Sequence, residues 1–109
     1  MEEDVVARVR GVLTGFGAIR EVKMFGGIGF MLNGNMIAAV SKRGLLLRVG
    51  KERYKEALSH PGASPMEIRS RPMQGYVYVD PASLHQEALR DWLQLAHSFV
   101  RTMPPKSPS

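Results

Sequence analysis

Apolar residues recur three or four positions apart near both ends of the chain, and this spacing places them along one side of a helix. The first stripe follows three acidic residues, which favour the positive end of a helix dipole; its members are Val5, Val9, Val12, Leu13 and Phe16. The last stripe contains Leu84, Ala88, Leu89, Trp92, Leu93, Ala96, Phe99 and Val100. It follows Asp80-Pro81, where Asp can cap free amides and Pro needs no hydrogen bond. Two core-facing helices are therefore predicted, and each needs a sheet to pack on.

Between the two helices the pattern changes to the two-residue period of strands. The run 19–25 alternates, with Val22 and Met24 on one side and charged residues on the other. Asn33-Gly34 lies between two apolar runs. It predicts a type I′ hairpin, because both turn residues adopt positive φ in that turn.

A two-residue turn fixes the register of this hairpin and therefore which residues share a face. One face is predicted to contain the pairs Leu32 with Asn35, Phe30 with Ile37, and Ile28 with Ala39. The other face is predicted to contain Gly29, Met31, Met36, Ala38 and Val40. Since both faces are apolar, we expect the hairpin to lie centrally in the sheet and to be covered on both sides. The small residues of the second face favour close approach by another element, and a second subunit in a homodimer is one hypothesis.

Turn and loop signals divide the rest of the chain. They predict strands at 45–49, 66–69 and 75–79, with a short helix at 51–58 and a Pro- and Gly-rich loop at 61–65. The predicted order is thus α-β-β-β-β-α-β-β-α. This is an α+β fold, in which an antiparallel sheet is flanked by amino- and carboxy-terminal helices.

Length and composition predict one domain. The chain has 109 residues, of which 44% are hydrophobic, enough for a core of its own. The domain is predicted to span 1–102, and the Pro- and Ser-rich residues 103–109 are predicted to be a disordered tail. Without cysteine, disulfides and thiolate chemistry are excluded. The acidic start is unlike a secretory signal, and no apolar run approaches the ~18 residues of a membrane span. We therefore expect a cytoplasmic protein without a membrane partner.

The net charge of +5 is concentrated in one segment. Residues 42–71 contain eight basic and three acidic residues, whereas the rest of the chain contains seven of each. Such a cluster can mark contact with nucleic acid or another anionic partner, or it can be ordinary solvated surface. The candidate contact residues are Lys42, Arg43, Lys51, Arg53, Lys55, Arg69 and Arg71. The contact requires them to converge on one face.

The residues offer little pattern for catalysis. Glycines at 26, 27 and 29 resemble a phosphate loop, but a strand follows them where such loops open a helix. The three histidines lack the spacing of metal ligands on a helix. Tyr76 and Tyr78 share a strand face, where either base stacking or core packing would suit them. We predict no enzymatic activity, no catalytic or metal-binding residues and no cofactor.

Two blocks together resemble the TfoX/Sxy amino-terminal domain family. They are KMFGGIGFMLNGNM at 23–36 and RPMQGYVYV at 71–79, with LLRVG at 46–50 between them. The resemblance covers about 5–100. The matching positions read as structural, and they include Met24, Phe25, Gly26, Gly27, Gly29, Phe30, Asn33, Gly34, Arg48, Gly50, Pro65, Pro72, Met73, Gly75 and Tyr76.

The resemblance implies an α+β fold like that of type III secretion chaperones and YjbR-like proteins. It also implies regulation, because full-length relatives control natural competence together with a cyclic-AMP receptor protein at promoters. Those regulators carry a second, helical domain, and we expect this chain to be a short, single-domain member without it. The first hypothesis is therefore a non-enzymatic regulatory or adaptor domain that acts by contact with a protein partner. The alternative is a weak nucleic-acid-binding protein that uses the basic residues of 42–71.

Overall fold

The structure is a computed structural model that describes residues 2–24 and 26–106. Within these residues the helices are α1 (Glu2–Leu13), α2 (Tyr54–Leu58) and α3 (Gln86–Val100). The strands are β1 (Ile19–Met24), β2 (Gly27–Leu32), β3 (Asn35–Ser41), β4 (Gly44–Arg48), β5 (Ala63–Ile68) and β6 (Arg71–Val79). Single 3-10 turns follow α1 at Thr14–Phe16 and precede α3 at Pro81–Ser83. The order of elements confirms the predicted α+β fold.

The six strands form one open sheet in the order β1-β2-β3-β4-β6-β5, and all neighbours are antiparallel. Helix α3 packs on β3 and β4, α1 packs on β3 and α3, and α2 packs on β5 and β6. The core lies between the helices and one face of the sheet, where apolar side chains are removed from water. Its largest fully buried side chains are Phe30, Leu13, Ile37, Leu45, Leu47, Leu89 and Leu93. In the described part of the chain, no helix is long and apolar enough to cross a membrane.

The central hairpin has the predicted turn but a different register. Asn33 and Gly34 have φ of 53° and 81°, as a type I′ turn requires. Beyond the turn a β-bulge interrupts the pairing, so that Phe30 pairs with Ala38 where Ile37 was predicted. Ile37 and Ala38 are both fully buried, because a bulge places two residues of one strand opposite one residue of the other. The predicted pairing was therefore wrong beyond Met36, and the predicted faces were wrong for Ala38, Ala39 and Val40.

The last helix begins later than predicted. The Asp80 carboxylate accepts a hydrogen bond from the Ala82 amide at 3.0 Å, but it caps only a 3-10 turn. Leu84 then adopts an extended conformation, which ends that turn. Helix α3 starts after His85, whose Nδ1 accepts a hydrogen bond from the Ala88 amide at 3.2 Å.

Strand β6 is longer than predicted. It begins at Arg71 and includes Pro72, although only 76–79 pair with β4. The preceding residues 71–74 are exposed, and Arg71 and Pro72 pair with Ile68 and Glu67 of β5. This part of β6 extends past the end of β4 and forms a two-stranded ribbon with β5. Pro72 therefore breaks no hydrogen bonding to a central strand.

Residues 103–106 return along the central hairpin. The Lys106 amide donates a hydrogen bond to the Asn33 carbonyl at 2.7 Å. The Asn35 side-chain amide donates to the Pro104 carbonyl at 2.9 Å, and Asn35 is only 3% exposed. These bonds satisfy a buried polar side chain. Residues 107–109 lie outside the described residues, and disorder over 103–109 stays a prediction.

Candidate interaction face of the sheet

The two faces of the sheet differ because successive residues of a strand point to opposite sides. On β4, Leu45 and Leu47 are 0% exposed and face the helices. Their neighbours Leu46 and Arg48 therefore point to the other side. We call this side the open face, since each helix described above packs on the opposite side.

The pairing of the strands shows that the open face extends across the whole sheet. One row of directly paired residues crosses all six strands, and its members are Val22, Gly29, Ala39, Leu46, Tyr78 and Ser64. At about 4.8 Å between strands, this row is about 24 Å long. All of its members except Ser64 are apolar or aromatic, and none is charged. An antiparallel sheet with one face in water normally has polar residues on that face.

A second, parallel row supplies methionines and two cations. Arg20 pairs with Met31, and Met31 pairs with Met36. On the other half of the sheet, Arg48 pairs with Tyr76. The side chains of this row are half-buried apart from Arg20, which is exposed. The open face is thus apolar in its middle and positively charged at two points.

Two contacts shape the surface of the open face. The Arg48 guanidinium lies 5.5 Å from the centre of the Tyr76 ring, a cation–π contact that orients the charge. Met24 lies across Gly29, where an added Cβ would be 2.7 Å from the Met24 sulfur. A flexible thioether here fills the space that a glycine leaves.

Sequence reasoning did not find this face as a site. Met24, Arg48 and Tyr76 were identified only as structural motif residues, and Met31 and Met36 only as part of a covered hairpin. The available signal was the hairpin with two apolar faces. It correctly indicated an apolar second face, but the described residues place no helix over it.

The structure does not bring the seven candidate basic residues together. Lys42 and Arg43 form the turn between β3 and β4, beside the end of β6 at Val79. Arg69 and Arg71 lie at the turn between β5 and β6, roughly 25 Å away along β6. The others, Lys51, Arg53 and Lys55, lie in and just before α2. Nucleic-acid contact by this set stays a prediction, and it would have to span the length of the sheet.

A groove of about 660 Å³ lies beside the Lys42-Arg43 turn. Its charged lining residues are of both signs, because Asp4 and Asp80 line it together with Arg8. The Arg8 guanidinium is already engaged, since it donates to the carbonyls of Pro81 at 3.3 Å and Leu84 at 2.6 Å. This mixture of charges gives the groove no clear preference for an anion.

The histidines have packing and capping positions. The His60 ring meets the edge of Trp92 at 5.2 Å between ring centres, and His97 stacks on Phe16 at 4.8 Å. His85 caps α3. Across residues 2–24 and 26–106, no three His, Asp or Glu side chains come together in the manner of metal ligands.

The motif residues lie in the core, on the open face and in exposed turns and edges. Phe30 is fully buried, whereas Met73 is 37% exposed. Gly50 has a φ of 87°, and an added Cβ would lie 2.5 Å from the Phe99 ring. Phe25 lies outside the described residues.

Comparison with known proteins places this fold in a family. The family model described as the TfoX N-terminal domain matches residues 12–100. The match includes all six strands, α2 and α3. A search of curated proteins found no match to the chain.

Proposed function

The chain belongs to the TfoX N-terminal domain family, and from this premise we propose that it is a regulatory or adaptor domain without enzymatic activity. It acts by contact with a protein partner, and the contact surface is the open face. The observation that supports this proposal is the uncharged row from Val22 to Ser64 on the side away from the helices. Val22, Ala39 and Tyr78 of this row are half-buried and so present part of their surface to water, and contiguous apolar surface commonly marks an interaction site.

The composition of the open face favours a protein partner. Met24, Met31 and Met36 have flexible, polarizable side chains that can repack around different apolar groups. Tyr76 and Tyr78 add aromatic rings with polar ends, and such residues are enriched at protein interfaces. The arginines at positions 20 and 48 supply charge for specificity.

Site-specific photocrosslinking in cells tests the proposal. A benzophenone amino acid is placed at Met31 on the open face and, as a matched control, at the exposed Gln94 of α3. We expect the Met31 position to crosslink to one recurrent protein that the control position does not reach. Adding the purified domain should then change the activity of that partner. Crosslinks that do not depend on position, or no protein crosslinks at all, would contradict the proposal.

One observation favours the nucleic-acid alternative. Tyr76 and Tyr78 lie on the open face rather than in the core, and Arg48 lies against the Tyr76 ring. Aromatic and basic side chains on a sheet can bind single strands by stacking and phosphate contact. Fluorescence anisotropy of labelled single-stranded and duplex DNA over a salt series separates the two functions. Binding whose log K falls steeply with log salt would support the alternative, whereas no binding at low salt would oppose it.

A further inference from the structure

The dimensions of the open face match those of a single helix. The row from Val22 to Ser64 is about 24 Å long, which is the length of about 16 residues of helix at 1.5 Å each. The other face of the same sheet already carries a helix of this size, since α3 has 15 residues. Its buried residues Leu89, Trp92, Leu93, Ala96 and Val100 follow the helical period. Helix α3 packs on β3 and β4, so an amphipathic helix of this length is an element that the sheet already holds on its other side.

The two positive charges of the open face indicate where acidic residues would lie on such a helix. Arg20 lies on β1 and Arg48 on β4, which are three strand spacings or about 14 Å apart. Along a helix that crosses the strands, 14 Å is about three turns. None of the paired residues of the two rows is acidic. Carboxylates three turns apart on the partner would complement both arginines.

A second copy of this chain fits the open face less well. Two open faces in contact would bring four arginines together without a carboxylate from either row. The face measures about 24 Å by 13 Å, or about 300 Å² on each side. This is about half the area per partner at the low end of stable protein interfaces. A contact of this size is instead typical of a weak, transient encounter, and the footprint has the width of one helix, about 10 Å.

We propose that the open face binds an amphipathic helix of about four turns from another protein, with an apolar stripe and acidic residues about three turns apart. This inference rests on the proposed function and specifies the shape and charge of the partner. The apolar stripe lies over the half-buried Met31, Met36 and Ala39, and the methionine side chains adjust to its residues. The acidic residues lie beside Arg20 and Arg48.

The test uses three synthetic 16-residue helices and the full chain. The first probe has an apolar stripe with two glutamates three turns apart, the second has lysines in their place, and the third has the apolar positions scrambled. Binding is measured by anisotropy of the labelled probe. We expect the first probe to bind, and Met31→Glu to weaken its binding about tenfold or more. The control Gln94→Glu adds the same charge on the exposed side of α3 and should leave binding unchanged.

Reversal of one charge gives a second, independent readout. Arg20→Glu changes an exposed side chain, so the fold should tolerate it, and circular dichroism checks that it does. This variant should bind the glutamate probe more weakly and the lysine probe more tightly than the wild type does. Equal binding of all three probes, or binding that Met31→Glu does not affect, would overturn the inference.

Two further results would assign the open face to a different occupant. A dimer in light scattering that Met31→Glu dissociates and Gln94→Glu does not would show that a second copy covers the face. Oligonucleotide binding that Arg20→Glu and Tyr78→Ala abolish would assign the face to nucleic acid. Each result would overturn the helix inference. If crosslinks form from Met31 while the helical probes fail to bind, only the helix inference fails; if neither occurs, the proposed function fails as well.

Discussion

The two faces of the sheet are built from the same strands but relate differently to the rest of the chain. Leu47 is fully buried against the helices, whereas the next residue, Arg48, lies on the open face beside Tyr76. The helix side contains rigid branched residues such as Val40 and Val77, which suit fixed, dense packing. The open face contains methionine and tyrosine, which suit an adaptable contact. The difference is what we expect if one face stabilises the fold and the other contacts a partner, as proposed above.

The edge strand β1 shows the same difference within six residues. Glu21 points to the helix side, where Arg10 of α1 binds it through two hydrogen bonds. Val22 and Met24 point to the open face and pair with Gly29 and Gly27. A charged residue is thus tied to the fold, while the apolar residues beside it lie on the side without a helix. The usual arrangement of an antiparallel sheet, apolar inside and polar outside, is reversed over residues 21–24 of this strand.

The largest expected difference between the faces is in their response to truncation. Leu47→Ala creates a cavity under α3 and should lower the free energy of unfolding by about 2–5 kcal/mol. Met31→Ala removes a half-buried side chain from the open face and should cost about 1 kcal/mol or less, because much less area is exposed to water by the change. Urea denaturation measures both, and an unchanged m-value confirms a simple loss of stability. Equal losses would show that the open face is covered in solution.

Two glycines of β2 provide a finer comparison. A Cβ on Gly27 would overlap the carbonyl oxygen of Val40, which is backbone and cannot move away, whereas a Cβ on Gly29 would meet only the flexible end of Met24. We expect Gly27→Ala to destabilise by about 1–3 kcal/mol, as overpacking does. Gly29→Ala should change stability by less than about 1 kcal/mol, since the Met24 side chain can turn outward.

Thermal denaturation of the two glycine variants checks this difference. Gly29→Ala is the matched control for Gly27→Ala, because both add one methyl group to the same strand. A large loss in Gly29→Ala would mean that Met24 is held rigidly on the open face. That result would weaken the view of the face as an adaptable surface.

The sequence could predict the fold because its local signals agree. The stripe through Leu89 and Leu93 has the helical period, and Asn33-Gly34 permits one kind of tight turn. The register beyond Met36 could not be predicted, because the run Ile37-Ala38-Ala39-Val40 is apolar throughout. Alternation cannot locate a bulge in such a run, and one extra residue moves every later side chain to the other face.

The candidate site was less predictable because it depends on long-range arrangement. The sequence shows that the basic residues lie between 42 and 71. It does not show that Lys42-Arg43 and Arg69 lie near opposite ends of β6, which follows from the order β4-β6-β5. Similarly, a hairpin with two apolar faces indicates that each face packs against another element. Only the packing of α1, α2 and α3 on one side shows which of the two faces the chain covers with its own helices.

The smallest expected effect concerns the ion pair on the helix side of β1. Arg10 contacts the Glu21 carboxylate at 2.5 and 2.8 Å, and this hydrogen bonding holds the pKa of Glu21 below its usual value of 4.5, against a weaker opposing effect of burial. The folded state therefore favours the ionised form of Glu21. Its contribution to stability is present above the pKa of the unfolded chain and is lost as the pH falls through the lower pKa of the folded chain.

Glu21→Gln should accordingly lower Tm slightly at pH 7, by less than Leu47→Ala or Gly27→Ala does. The pair is partly exposed, so added salt should reduce the effect. The difference in Tm from the wild type should shrink below about pH 4.5 and disappear once Glu21 is protonated. Glu52→Gln removes the same charge from an exposed loop position and is the matched control. If both variants behave alike, the ion pair does not attach β1 to α1, and packing alone orients the apolar side of β1 toward the open face.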